Sequence, residues 1–247
     1  MARGLVLSLV GRALALVIAC AAMATPGFAQ YPSSDRVWSS ADYKDLDALI
    51  GAGTVTLPIL ADAVGRPVFE RLVNAKNFDM VRNKTLPVSI RLQESIAMGQ
   101  YAQKFLLAYL GEAQKGKPYE RELAKLQVFM LDYAAALIAV VDEFVPTIAH
   151  DDKYDTRMAG LAKMREGMRT IMTGSVESLS ETQFYSSGST IEMAEGIVTY
   201  LPWFREVLSD QDRQDYARRV GRQLETTTDA GIKAALTSLQ TAFLAAK

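Results

Sequence analysis

Apolar residues recur at spacings of three and four along most of the chain, and three stretches keep that rhythm long enough to predict long helices. From Leu86 to Leu110, the residues Val88, Leu92, Ile96, Gly99, Ala102, Leu106 and Leu110 form one stripe. Arg91, Gln93, Glu94, Gln100 and Lys104 fall off it, which is the pattern of a one-sided amphipathic helix. Gly111 and Gly116 are its expected stop. From Pro118 to Phe144, the residues Leu123, Leu126, Met130, Tyr133, Leu137, Val140 and Phe144 make the seam of a helix packed at a shallow angle. Val128, Phe129, Ala136 and Ala139 make its far side apolar too, so this helix is expected at the centre. A third runs from a cap at Asp151 and Asp152 to about Gly174. Its seam is Leu161, Met164, Met168 and Ile171, and its other face carries Arg157, Lys163, Arg165 and Arg169.

Shorter signals fill the rest. Ser40 is placed to cap a helix bearing Leu46, Leu49 and Ile50, stopped by Gly51 and Gly53. Pro58 and Pro67 suit the first turns of two short helices separated by Gly65. Ser189 with Glu192 has capping-box spacing, Pro202 suits the opening of another helix, and Ser209 with Asp212 repeats the box. Two closing segments run from Gln211 to Leu224 and from about Asp229 to Ala245. No alternating stretch is long enough for a strand, Val55 and Thr56 being the one β-branched pair of note. The expected fold is all-α: a single antiparallel bundle of about seven to nine helices with three long central ones, over residues 41–247.

The start of the chain follows a different logic. Arg3 and Arg12 precede the apolar run Ala13–Ala24, and Gly27 and Ala29 are small residues ahead of Gln30. A basic start, a short apolar run and a small-residue exit read as a secretory signal peptide over residues 1–29. The run is too short to anchor in a bilayer about 30 Å thick. Residues 30–40 then form a polar lead-in. Val17, Ile18, Ala19 and Cys20 resemble the lipobox of bacterial lipoproteins, which implies the alternative of a chain anchored through a lipidated Cys20. Cleavage near Ala29 leaves 218 of the 247 residues, removes Arg3, Arg12 and the one Cys, and moves the net charge from −1 to −3. The expectation is an exported protein, periplasmic or secreted, without disulfides or thiol chemistry.

Composition narrows the chemistry further. Lys and Arg total 27 against 28 Asp and Glu, so no basic surface for nucleic acid is expected. The one His, His150, cannot supply a zinc site or a di-iron bundle, and no Gly-x-Ser-x-Gly elbow exists for a hydrolase. Gly51, Gly53 and Thr54 lack the Lys of a phosphate loop. Asp151, Asp152 and Asp155 lack the Gly and closing Glu of a calcium loop and read as an acidic helix start. Met158, Met164, Met168 and Met172 have soft-ligand chemistry but coincide with the helix seam, where Met fills gaps. No metal, cofactor or catalytic residue is expected.

Asp132 stands out inside the apolar stretch Leu131–Val141. A buried carboxylate needs a partner, and Arg91 or Lys104 on the preceding helix are the candidates. Asp132 and Tyr133 with Met164 and Met168 form a candidate ligand site. Arg157, Lys163, Arg165 and Arg169 form a candidate membrane-facing surface. The leading expectation is a non-catalytic exported protein with a partner-binding or structural role in the cell envelope. Alternatives are a carrier of an apolar ligand such as a lipid in a bundle cavity, a membrane-active helical protein, and a carboxylate-based enzyme.

Overall fold

The computed structural model describes residues 37–116, 119–181 and 183–245. The expected signal peptide, Cys20, most of the lead-in and Pro118 lie outside the described residues. Among those residues there are nine α-helical elements and no strand. They are α1 (Ser40–Gly51), α2 (Gly65–Leu72), the four-residue α3 (Asp79–Arg82), α4 (Val88–Gln114), α5 (Glu120–Phe144), α6 (Tyr154–Ser178), α7 (Ser187–Tyr200), α8 (Asp210–Thr226) and α9 (Ala230–Ala245). Three 3-10 turns, Ala75–Phe78, Val145–Thr147 and Leu201–Phe204, sit between them. The fold is the expected all-α bundle with α4, α5 and α6 as its long members.

Side-chain pairs fix the directions. Arg91 near the start of α4 pairs with Glu143 near the end of α5, so these two helices are antiparallel. Gln127 early in α5 donates to Ser178 at the end of α6, and Asp142 late in α5 meets Arg165, so α5 and α6 are antiparallel as well. Central α5 buries 17 of its 25 residues, which leaves it no free face. Helices α4, α6 and α7 cover it, α8 and α9 pair with each other, and α9 lies against α7. One apolar cluster runs from Trp38 to Phe243.

Several starts and stops differ from expectation, each for a local reason. Ser39, not Ser40, caps α1, and its partner in the box is Asp42. No helix opens at Pro58, whose carbonyl instead accepts from the Tyr109 hydroxyl of α4. Gly65 begins α2 instead of separating two helices, its N–H satisfied by Asp62. Helix α4 passes through Gly111 and ends after Gln114, where Gly116 takes φ +89. That left-handed conformation favours glycine. Asp151 does not cap α6. It accepts from the Lys153 N–H and from Arg157 one turn ahead of the helix. Ser186 caps α7, three residues earlier than Ser189, and Pro202 lies in a 3-10 turn. Trp38, inside the expected lead-in, is buried and donates its backbone N–H to Asn77 Oδ1 at 2.9 Å.

The Ser209 box matches its sequence signature. Ser209 Oγ accepts from the Asp212 N–H at 3.1 Å, and Asp212 Oδ2 accepts from the Ser209 N–H at 3.0 Å. Ser209→Ala is expected to lower stability by about 1 kcal/mol, read as a shift of the urea midpoint at unchanged slope. An unchanged midpoint would show the box to be idle.

Candidate functional site

Helix α5 carries two carboxylates toward the segment that precedes α4, and they are treated differently. Asp132 Oδ1 accepts from Arg82 Nη2 of α3, not from Arg91 or Lys104 as expected. Arg91 is taken by Glu143 and Lys104 by Asp47, 2.8 Å away. Arg82 is well placed: its Nη1 donates to the Ala75 carbonyl at 3.1 Å, and its guanidinium lies 5.6 Å over the Phe78 ring. The Asp132 side chain is only 4% exposed, whereas that of Arg82 is 42% exposed. Asp132 Oδ2 has no hydrogen-bond partner in normal geometry, with the Tyr200 phenol of α7 as its polar neighbour.

Burial is the main influence on Asp132 and raises its carboxyl above the usual range. Arg82 and Tyr200 pull it down and Asp79 pushes it up, leaving it raised. The Tyr200 phenol is pushed up to about 12, first by burial and then by the Asp132 charge. Glu143 goes the other way. The Arg91 hydrogen bond, helped by Lys84 at 3.3 Å, holds it below the usual range.

The four residues expected to form a ligand site do not converge. Gln127 and Asp142 mark the face of α5 turned to α6, and at about 100° per residue Tyr133 lies on the far side. Its ring packs on Gly99 of α4 and, at 6.1 Å, on Phe78, and burial raises its phenol. Asp132 faces α3 and α7. Met168 is buried and Met164 half-buried on α6. The basic face of α6 is largely neutralised: Arg157 pairs with Asp151 (2.8 Å), Arg165 with Asp142 (2.9 Å), and Arg169 with Glu166 and Asp212 (3.4 and 3.3 Å). Lys163 is exposed.

The open space lies elsewhere. A solvent-open groove of about 420 Å³ runs between the end of α1 and the second half of α4. Ile50, Leu57, Leu107 and Tyr119 give it apolar walls, and Glu112 and Lys115, paired at 2.7 Å, form its lip. Leu107 is 40% exposed. None of the four expected ligand residues touches the groove.

Arg82, Tyr200 and the groove were missed from sequence because each depends on a short element or on how helices dock. A four-residue helix is too short to show a period, and a surface concavity depends on how helices dock. A carboxylate on the most apolar helix did signal that a cation must meet it. Among the described residues no three His, Cys, Asp or Glu side chains are grouped to hold a metal ion, and no helix is long and apolar enough to cross a membrane. His150 stacks on Tyr154 at 4.1 Å. No family model, no curated protein and no solved structure matches this chain.

Proposed function

We propose that this chain is an exported, non-catalytic helical protein that works by docking a partner on its surface in the cell envelope. The observation that carries this reading is the apolar-walled groove beside Leu107. Apolar side chains left open in a concave wall are the usual footprint of a binding surface. The charged side chains around Asp132 and Glu143 are spent on joining helices to one another, which supports a scaffold more than a reaction centre. The carrier reading needs room beside Asp132, Met164 or Met168, and there Met168 and Met172 are packed into the core. The short basic start and small-residue exit at Ala29 support export.

Native mass spectrometry of the protein isolated from its own cell envelope tests both halves of the reading. The expected result is a chain beginning at Gln30 that carries a protein-sized second mass, lost when Leu107→Glu places a charge in the groove. A lone chain in both forms would overturn docking. A lipid-sized mass retained by Leu107→Glu would put the carrier reading in its place, and a chain keeping residues 1–29 would overturn cleavage at Ala29.

A further inference from the structure

The turn that joins α3 to α4 carries Asn83, Lys84 and Thr85, an asparagine with a hydroxyl residue two positions on and no proline between them. That spacing is the acceptor signature for an asparagine-linked glycan. The chain has three asparagines, and the other two lack it. Asn77 is 2% exposed and is spent on Trp38 and Tyr43. Asn74 is exposed and its Oδ1 accepts from the Lys76 N–H at 3.0 Å, but Lys76 offers no hydroxyl. At Asn83 both halves of the turn are made: Oδ1 accepts from the Thr85 N–H at 3.0 Å and from Thr85 Oγ1 at 2.7 Å. Arg82 and Lys84 fasten this stretch to Asp132 and Glu143 of α5, while Asn83, Lys84 and Thr85 all stay exposed.

We propose that Asn83 is the acceptor for an asparagine-linked oligosaccharide. The donor class is an oligosaccharide carried on a polyprenyl pyrophosphate, used by a transferase that reads Asn-x-Ser/Thr alone. The new bond joins Asn83 Nδ2 to the anomeric carbon of the first sugar. The bond from that carbon to the pyrophosphate oxygen breaks, the polyprenyl pyrophosphate leaves, and one Nδ2 proton passes to a base on the transferase. An amide nitrogen is a poor nucleophile because its lone pair is shared with the carbonyl. The two donors on Oδ1 draw charge onto that oxygen and make the Nδ2 protons easier to remove. Nδ2 itself donates to no group among the described residues, so it stays open to the donor. The step rests on the export proposed above, because acceptors of this kind are surface turns of secreted chains. Leu107 lies 19 residues beyond Val88, about 28 Å along α4, so a glycan ahead of α4 leaves the groove open. Its solubilising bulk falls instead beside Met80 and Ile90, which flank the turn in sequence and are 39% and 43% exposed.

Peptide mass spectrometry of the protein isolated from its own cell envelope tests this without any variant. The expected result is a chain beginning at Gln30 whose Asn83 peptide carries a saccharide mass, removed by an amidase that releases asparagine-linked glycans and leaves an aspartate behind. An unmodified Asn83 in a chain beginning at Gln30 overturns the acceptor and leaves export standing. A saccharide on Asn83 of a chain that keeps residues 1–29 supports the acceptor and overturns only the cleavage at Ala29. An unmodified Asn83 in such a chain overturns both. Two variants then test the turn. Thr85→Ser is expected to keep the glycan, and Thr85→Val, which has the shape of Thr without the hydroxyl, to lose it. Thr85 is exposed, so Thr85→Val is expected to keep the parent's urea midpoint. A glycan retained in Thr85→Val, or found on Asn74 instead, overturns the role of the Asn83–Thr85 turn.

Discussion

Trp38→Ala is expected to lower stability by about 3–5 kcal/mol, a fall in Tm of roughly 10 °C for a domain of this size. The indole is 1% exposed and stands edge-on to Tyr43, 5.5 Å between ring centres. Tyr43 lies parallel to Phe129 of α5 at 6.3 Å and donates its hydroxyl to the Leu72 carbonyl at 2.6 Å. Asn77 closes the set, accepting from the Trp38 backbone N–H and donating to the Tyr43 oxygen at 2.8 Å. Removing the ring thus opens a cavity between α1, the Ala75–Phe78 turn and the central helix at once. Trp38→Phe is the informative control. The indole Nε1–H is buried without an acceptor, so Phe keeps an aromatic ring in place and deletes an unsatisfied donor. Its expected cost is about 1–2 kcal/mol, less than half that of Ala, because the smaller ring leaves a smaller cavity. Thermal melts of the two variants decide the matter: equal losses would mean that the indole nitrogen is satisfied in solution, and no loss from either would mean that the chain before α1 does not dock.

What the sequence made legible was the part set by long periodicity. The seam Leu123, Leu126, Met130, Tyr133, Leu137 and Val140 is buried, its last member Phe144 is half-buried, and the apolar far side placed α5 in the centre. The stripe on α4 holds at Leu92, Gly99 and Ala102 and is widened on one side. Ser95, Met98, Phe105 and Tyr109 are buried, and Ile96, Leu106 and Leu110 sit at its edge. A helix covered from two directions, by α1 and by α5, buries a wider arc than one stripe describes. Arg91 shows the limit most plainly. It falls within that wider arc and is buried because Glu143, fifty-two residues away, meets it there. Ion pairs of that separation are set by docking, which no local spacing encodes. The candidate ligand residues stand apart for the same reason: Tyr133 leaves α5 toward α4, Asp132 toward α3 and α7, and α6 with its methionines lies on another side.

Gly99→Ala should change sign with the residue at position 133. A Cβ at Gly99 would stand 2.8 Å from Tyr133 Cε2 and closer still to the ring's Cζ and hydroxyl oxygen. Phe78 stands beside that ring at 6.1 Å, and most of α5 around it is buried, so a shift of the ring disturbs its neighbours. The methyl group must therefore displace Tyr133 or part α4 from α5. In the parent protein the expected loss is about 3 kcal/mol, at the upper end for overpacked cores, or roughly 6–12 °C in Tm. In a Tyr133→Ala background the obstruction is gone. What remains is the intrinsic preference of a helix for Ala over Gly, about 1 kcal/mol in favour of the substitution. The four proteins of the cycle, compared by urea denaturation, measure that coupling directly. A loss of the same size in both backgrounds would show that Gly99 is required for backbone conformation and not for the approach of the Tyr133 ring.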